Sequence, residues 1–319
     1  MGREVIEDSD TFVTEVCWHY YINGNTQAEV ARILGVTRLR VNQAIQRAKA
    51  SGMVRIEIDS PFLPRIEMQH AVEQRFGIKR AVIAPANRAG YDFHATVGAA
   101  LASHVSERLR ASGWTSVGVS WGMTLERAIH HLERQSYPDL EVVSVLGGTS
   151  HGTTFNSFGI ASGLAEILGA RYSILTAPIY LSEDIDPDLF LSQYMLREHF
   201  EKFDRLDAVI LTCSNISEKS FLIAYGLPKE ITTDTLTRSG AIGDVLGHFL
   251  DAEGNSVSPA IDARTIGMPL EAVRKVPEKI MAAAGPHKVP ILRAALATGL
   301  VDTLVTDDVT AELLLDATK

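Results

Sequence analysis

TQAEVARILGVTRLRVNQAIQRAKASGMVRIEI, residues 26–58, reads as two short helices around a glycine turn and then a brief strand. Ala28, Val30, Ala31, Ile33 and Leu34 recur at helical spacing and give the first helix an apolar face. Thr26 followed by Glu29 has the form of a capping box, which satisfies backbone N–H groups left open at a helix start. Gly35 supplies the turn and Thr37 is placed to cap the second helix, whose apolar stripe is Val41, Ala44, Ile45 and Ala48. Met53 to Ile58 alternates apolar and polar residues, the pattern of a strand that would form a small wing. Helix, turn and helix in this order predict the motif whose second helix enters the major groove of DNA.

Working outward from that stripe, Arg38, Arg40, Asn42, Gln43, Gln46 and Arg47 lie off it. Arginine and the amide side chains are those that make paired contacts to guanine and adenine edges. The first turns of such a helix lie deepest in the groove, so Thr37, Arg38, Arg40 and Gln43 are the expected contacts to bases or nearby phosphates. Arg47 and Lys49 are expected to hold the backbone. Between Thr37 and Ile56 there are five basic residues and no acidic one, although the whole chain of 319 residues carries a net charge of −9. A basic face on an acidic protein suits a DNA-reading module joined to something that is not one; a solvated helix face is the bland alternative.

Residues from about Ser9 to Asn23 read as a helix able to pack over this pair. The segment 59–65, DSPFLPR, holds two prolines and reads as a linker. Three parts follow: a DNA-binding unit over 1–58, the linker, and a larger unit over 66–319. A helix is expected from about Ile66 to Phe76. Beyond it, apolar stretches at 81–85, 116–121, 140–148, 172–180, 207–212 and 301–307 alternate with helical segments near 94–110, 122–134, 157–169, 188–203, 269–283 and 289–298. Buried strands alternating with helices predict an α/β, Rossmann-like domain around a mostly parallel sheet.

No apolar run reaches the ~18 residues needed to span a bilayer, and no basic-then-apolar leader opens the chain, so a soluble cytoplasmic protein is expected. Cys17 and Cys213 have no metal-ligand spacing and read as buried free thiols. His130 and His131 lack a third convergent ligand. There is no GxSxG elbow, Walker loop or complete GxGxxG, and neither metal nor cofactor is expected.

Ligands of open α/β sheets bind beyond the carboxyl ends of strands, where small-residue loops enter helices. Four loops qualify. In Gly118–Thr124, Ser120, Thr124 and backbone N–H groups are able to hold a phosphate or hydroxyls. Gly147–Ser150, continuing through His151, Thr153, Thr154 and Asn156, is rich in hydroxyls and amides. In Ser239–Asp244, Asp244 either accepts from sugar hydroxyls or caps a turn. In Ala284–Lys288, a lysine at a helix start conflicts with the helix dipole, which favours an anion-binding role for Lys288; His287 reads as a surface residue.

With these motifs laid out, the chain resembles the SorC-type (SorC/DeoR-like) sugar-binding transcriptional regulators of bacteria over nearly its whole length. The resemblance rests on residues 26–58, on VGVSWGMTL, VSVLGG and GAIGDVLGHFLDAEG, and on GPHKVPILRAALATGLVDTLVTDDVTAELLL, in that order and spacing. It implies a DNA-binding domain on operator double-stranded DNA and an effector domain related in fold to sugar-phosphate isomerases without their activity. It also implies a homodimer or homotetramer and a phosphorylated sugar or related small molecule as inducer. By position it points to Gly148, Thr149, Asp244 and Lys288 as effector residues, with Ser120 and Thr124 beside them. TRLRVNQAI departs from the usual serine–arginine start, so a different operator is expected. LTCSNIS (211–217) replaces a frequent glycine–isoleucine–glycine loop, and GGTSHGTTFNS is an unusual version of its loop. Polyol catabolism, erythritol-type pathways included, is one setting the resemblance suggests. The rival reading is an isomerase-like enzyme with a vestigial helix-turn-helix, against which the loops offer no acid/base pair; a third is constitutive DNA binding with an empty oligomerising domain.

Overall fold

The computed structural model describes residues 9–56, 59–152 and 154–316. Contacts divide the chain into two compact units, Met1–Leu63 and Pro64–Lys319.

In the first unit, helices α1 (Asp10–Cys17), α2 (Gln27–Leu34) and α3 (Arg38–Ala50) enclose a core of Phe12, Val13, Val16, Val30, Ala31, Val41, Ala44, Ile45 and Ala48. Local chemistry fixes each end. Thr26 and Glu29 form the reciprocal capping box, Gly35 closes α2 in the left-handed conformation at φ 66°, and the Thr37 hydroxyl accepts from the Arg40 N–H. Of the apolar face read from sequence, Ala28 and Ile33 are instead exposed, since α2 buries only the narrow stripe facing α1 and α3. Met53–Ile56 forms no strand, and residues 57 and 58 lie outside the described residues. Met53 and Ile56 are exposed, and no described strand runs alongside to pair with them, so alternation there had nothing to act on.

The second unit opens with α4 (Leu63–Phe76), which starts earlier than its sequence pattern because Pro64 falls in the first turn, where a missing N–H costs nothing. Strands β1 (Arg80–Ala84), β2 (Ser116–Val119), β3 (Glu141–Ser144), β4 (Arg171–Ser173) and β5 (Ala208–Leu211) follow. A small antiparallel sheet comes from β6 (Cys213–Asn215), β7 (Gly243–Val245) and β8 (His248–Leu250); β9 (Glu278–Ala282) and β10 (Thr303–Asp307) complete the main sheet. The longer helices are α5 (Phe93–Ser112), α6 (Met123–His131), α7 (Ser157–Leu168), α8 (Tyr194–Glu201), α9 (Val289–Ala297) and α10 (Asp308–Leu315).

The main sheet is parallel, in the order β1-β10-β9-β5-β2-β3-β4. Its inner strands are buried on both faces, so alternate residues feed two cores. Val117, Val119, Val142, Ile210, Ile280 and Val305 meet α5, α6 and α7; Val143, Val209, Leu211, Met281 and Leu304 meet α4, α9 and α10. Each such side chain contributes about 1.5–3 kcal/mol of burial. Gly118 is a required gap in this pattern: a Cβ there would lie 2.7 Å from Val145 and 2.8 Å from Leu206.

The strand expected over 172–180 is short, Arg171–Ser173, with only isolated bridges at Pro178 and Tyr180 beyond it, and two further segments differ from the sequence reading. Residues 269–283 are not one helix: a short helix spans Leu270–Lys275, Val276 turns extended before Pro277, and β9 runs between β10 and β5. The residue before a proline is pushed out of the helical region, and two-sided burial then overrides the helix preference of EKIMA. The expected helix at 188–203 breaks at Gln193 into Pro187–Leu191 and α8. Both cysteines are free and buried. No described helix is long and apolar enough to cross a membrane.

Candidate functional site

From β2 the chain steps outward to β3 and β4, then returns through β5 to build the other half of the sheet. The sheet order therefore reverses between β2 and β5, and a crevice opens at their carboxyl ends. It is a cleft of about 520 Å³ walled by four segments: Phe93 and His94, Trp121–Thr124, the loop from Thr212 to Phe221, and His287 with Lys288.

Gly122, at φ 122°, starts α6 without a side-chain cap, so first-turn N–H groups of that helix stay open at the cleft wall. An added Cβ at Gly122 would meet Thr212 across the crevice only at ordinary contact distance, 3.5 Å, so it is the backbone angle that calls for glycine here. The β5 loop brings Asn215, Ser217, Lys219 and Ser220. Lys288, the residue before α9, is only 8% exposed, and its ammonium makes no hydrogen bond or ion pair among the described residues. It sits 5.9 Å from the centre of the Phe93 ring. Burial pushes its pKa below the ordinary value, with Cys213 and Asp244 opposing. His94 pairs through Nδ1 with the Thr124 hydroxyl at 2.9 Å. Burial and then Lys288 push His94 down to about 4, so its ring is neutral at pH 7. No carboxylate lines the cleft among the described residues. Open N–H groups, a desolvated lysine and several hydroxyls, with no carboxylate among them, are chemically suited to an anion beside hydroxyl groups.

A family model described as "Putative sugar-binding domain" matches residues 60–316. The chain belongs to the SorC-type sugar-binding transcriptional regulators. It is 25% identical over 307 residues to the erythritol catabolism regulatory protein EryD of Brucella abortus, covering 96% of each chain. It is 26% identical over 308 residues to the transcriptional regulator LsrR of Escherichia coli K12, covering 95% of this chain and 94% of that one. The full-length sorbitol operon regulator SorC of Klebsiella pneumoniae has the same fold, with a TM-score of 0.74 at 23% identity over 96% of this chain and 99% of that one.

In this SorC-type chain, Thr124 and Lys288 line the cleft, and the other expected effector residues stand away from it. Ser120 is buried and accepts from the Thr212 N–H at 3.1 Å, joining the ends of β2 and β5. Asp244 is buried behind the cleft, where it accepts from Ser214 and from the Gly247 N–H, the latter at 3.1 Å; of its two sequence readings, the turn cap is the one formed. Leu246 and Gly247, both at positive φ (53° and 80°), make the two-residue turn it caps between β7 and β8. Gly148 packs under Phe158, whose ring would lie 2.9 Å from an added Cβ, and the Thr149 hydroxyl donates to the His151 carbonyl. Thr153 lies outside the described residues. Sequence reading missed Phe93, His94, Thr212, Ser220 and Phe221 and undervalued His287. The departure of LTCSNIS from the family pattern was the available signal for the β5 loop.

In the first unit, Arg38, Gln43 and Arg47 are exposed on α3, Arg40 is half-buried, and Thr37 is exposed with its oxygen engaged as the cap. Arg47 pairs with Asp10 at 3.1 Å, and Arg38 Nε reaches Gln27 at 3.5 Å.

Proposed function

We propose that this regulator binds operator DNA through α3 and controls a carbohydrate or polyol catabolic operon, with a small phosphorylated polyol or sugar in the cleft as the switch. The observation that carries the effector half is Lys288: a lysine only 8% exposed, whose ammonium makes no hydrogen bond or ion pair among the described residues, beside the open first turn of α6. Such a group costs stability unless an anion completes it. Phosphate on Lys288 and the α6 N–H groups directs the remaining hydroxyls toward Asn215, Ser217 and Ser220. The names of EryD and SorC, tied to erythritol catabolism and a sorbitol operon, support a polyol setting. Thr37, Arg38, Arg40 and Gln43 are assigned to bases and nearby phosphates, and Arg47 to the backbone once it exchanges Asp10 for a phosphate.

Binding as a homodimer or homotetramer sets half-sites in register with the duplex repeat. The effector acts by preferring one of two states that differ in DNA affinity. Among the described residues the cleft holds no carboxylate, and the imidazole of His94 is engaged with the Thr124 hydroxyl, which supports binding over isomerisation. The test is titration of operator DNA from the chain's own promoter with sugar and polyol phosphates. Effector-dependent release or capture is expected; specific DNA binding indifferent to all of them defeats the effector half. Arg40→Ala is expected to weaken operator binding by about 1–3 kcal/mol and to relax preference at one base pair. A uniform loss on every sequence would make Arg40 a phosphate contact.

A further inference from the structure

Behind the cleft wall a chain of hydroxyls runs to Asp244. One oxygen of its carboxylate accepts the Gly247 N–H at 3.1 Å, and the other accepts the Ser214 hydroxyl. Ser214 also meets the Ser220 hydroxyl at 3.0 Å, and Ser220 lines the cleft. Hydrogen bonds in such a chain have a direction. Burial raises the Asp244 pKa above the usual carboxylate value, while the Ser214 hydroxyl, the Gly247 N–H and the charge of Lys288 favour the ionised form. In that form the carboxylate has no proton to give, so Ser214 spends its only hydrogen on Asp244. Its oxygen then accepts from Ser220, which spends its own hydrogen in turn. What Ser220 shows to the cleft is lone pairs alone. Thr212, on the same loop, reaches this state separately: its hydroxyl donates to the Trp121 carbonyl at 2.7 Å.

We infer that Asp244 is a specificity-determining residue acting through Ser214 and Ser220: it fixes the cleft wall as a hydrogen-bond acceptor, so that the ligand must present a free hydroxyl there. This rests on the cleft being the effector site, and it narrows the effector class to polyols with donor hydroxyls at that point, against ketones and ethers of the same shape. Selection follows because a ligand oxygen without a hydrogen would face a buried acceptor, leaving both unsatisfied.

Asp244→Asn offers an isosteric reversal. The Gly247 N–H holds the amide oxygen, which turns the amide NH₂ toward Ser214. Ser214 then donates to Ser220, and Ser220 donates into the cleft. The experiment is calorimetric titration of the full chain with inorganic phosphate, with erythritol 4-phosphate, and with its analogues carrying fluorine in place of one hydroxyl at a time. In the wild type, one position is expected to lose on the order of tenfold or more in affinity when its hydroxyl becomes fluorine. Asp244→Asn and Ser220→Ala should each reduce that loss to within about threefold while phosphate still binds. Thermal melting of both variants separates this from unfolding, and Ser220→Ala leaves the hairpin cap intact. Equal binding of all analogues by the wild type, or unchanged discrimination in a folded Ser220→Ala, overturns the relay and leaves the anion site standing. Failure of the wild type to bind any phosphate overturns both.

Discussion

The two ends of the parallel sheet hold hollows of similar size, about 520 Å³ each, and opposite charge chemistry. At the amino ends of the strands, Arg108 grips Glu278 with two nitrogens, Arg80 pairs with Glu107, and Lys79 and Lys279 share Asp302. Asp207 accepts from the backbone of Thr115 and Ser116. At the carboxyl ends, Lys288 is more buried than Arg108 and makes no hydrogen bond or ion pair among the described residues. Neither the volume of a hollow nor the number of its cations separates the two ends; what separates them is a cation without an ion pair, which is the basis for proposing a ligand site there. A paired charge has found its partner in folding, whereas an unpaired one has been desolvated at a cost that only another molecule offsets.

The sharpest way to break this contrast is Lys288→Met. Phosphate and polyol-phosphate binding should weaken by about 2–3 kcal/mol, the range of a charge-assisted contact. The apo protein should melt no lower, and by a few degrees higher, because a largely buried charge without an ion pair has gone. Calorimetry and a thermal scan read both, and a large fall in melting temperature would show that Lys288 is already compensated. Asp302→Ala should do the opposite. It strands Lys279, whose side chain is 9% exposed, and should cost about 3 kcal/mol in denaturant titration. Phosphate affinity should stay within about twofold, as expected for distant sites.

The smallest effect is the pH response. Lys288 has a native pKa below its unfolded value of 10.5, so between the two the unfolded chain holds more protons and apo stability rises with pH. Asp302 is held below 3.8 by Lys279 and Lys79 against the opposing effect of its burial, so its contribution is present above that value and fades as pH falls through the native pKa. Stability curves of the two variants should flatten at opposite ends of the scale: Lys288→Met on the alkaline side, Asp302→Ala on the acid side. Phosphate affinity should fall in the alkaline range, and Lys288→Met should remove that fall.

This contrast also explains what could be read in the sequence. Strands such as SVGVSW and DAVILT were legible because two-sided burial makes them apolar throughout, and the helix pair at 26–50 because its caps and stripe are local. EKIMA was not, since its residues favour a helix until a sheet surrounds them, although Pro277 was a usable warning. Within the site, Lys288 was legible from its conflict with a helix start. Asp244 was visible as a residue and not as a role, because whether it faces a ligand or a turn depends on the Leu246–Gly247 hairpin. Phe93, His94 and Ser220 reach the cleft only through the order of strands in space, which no local pattern encodes.

The reversal of strand order at β2 and β5 has a kinetic consequence. A molecule in the cleft is held by residues near 93, 122, 215 and 288, so it clasps stretches that the chain itself joins only through long excursions. Release of the sheet's middle strands then requires the ligand to leave first, whereas edge strand β4 can fray without disturbing it. Bound effector should slow amide exchange in β2, β5 and β9 while leaving β4 nearly unchanged, making the metabolite a removable clamp on the centre of the fold.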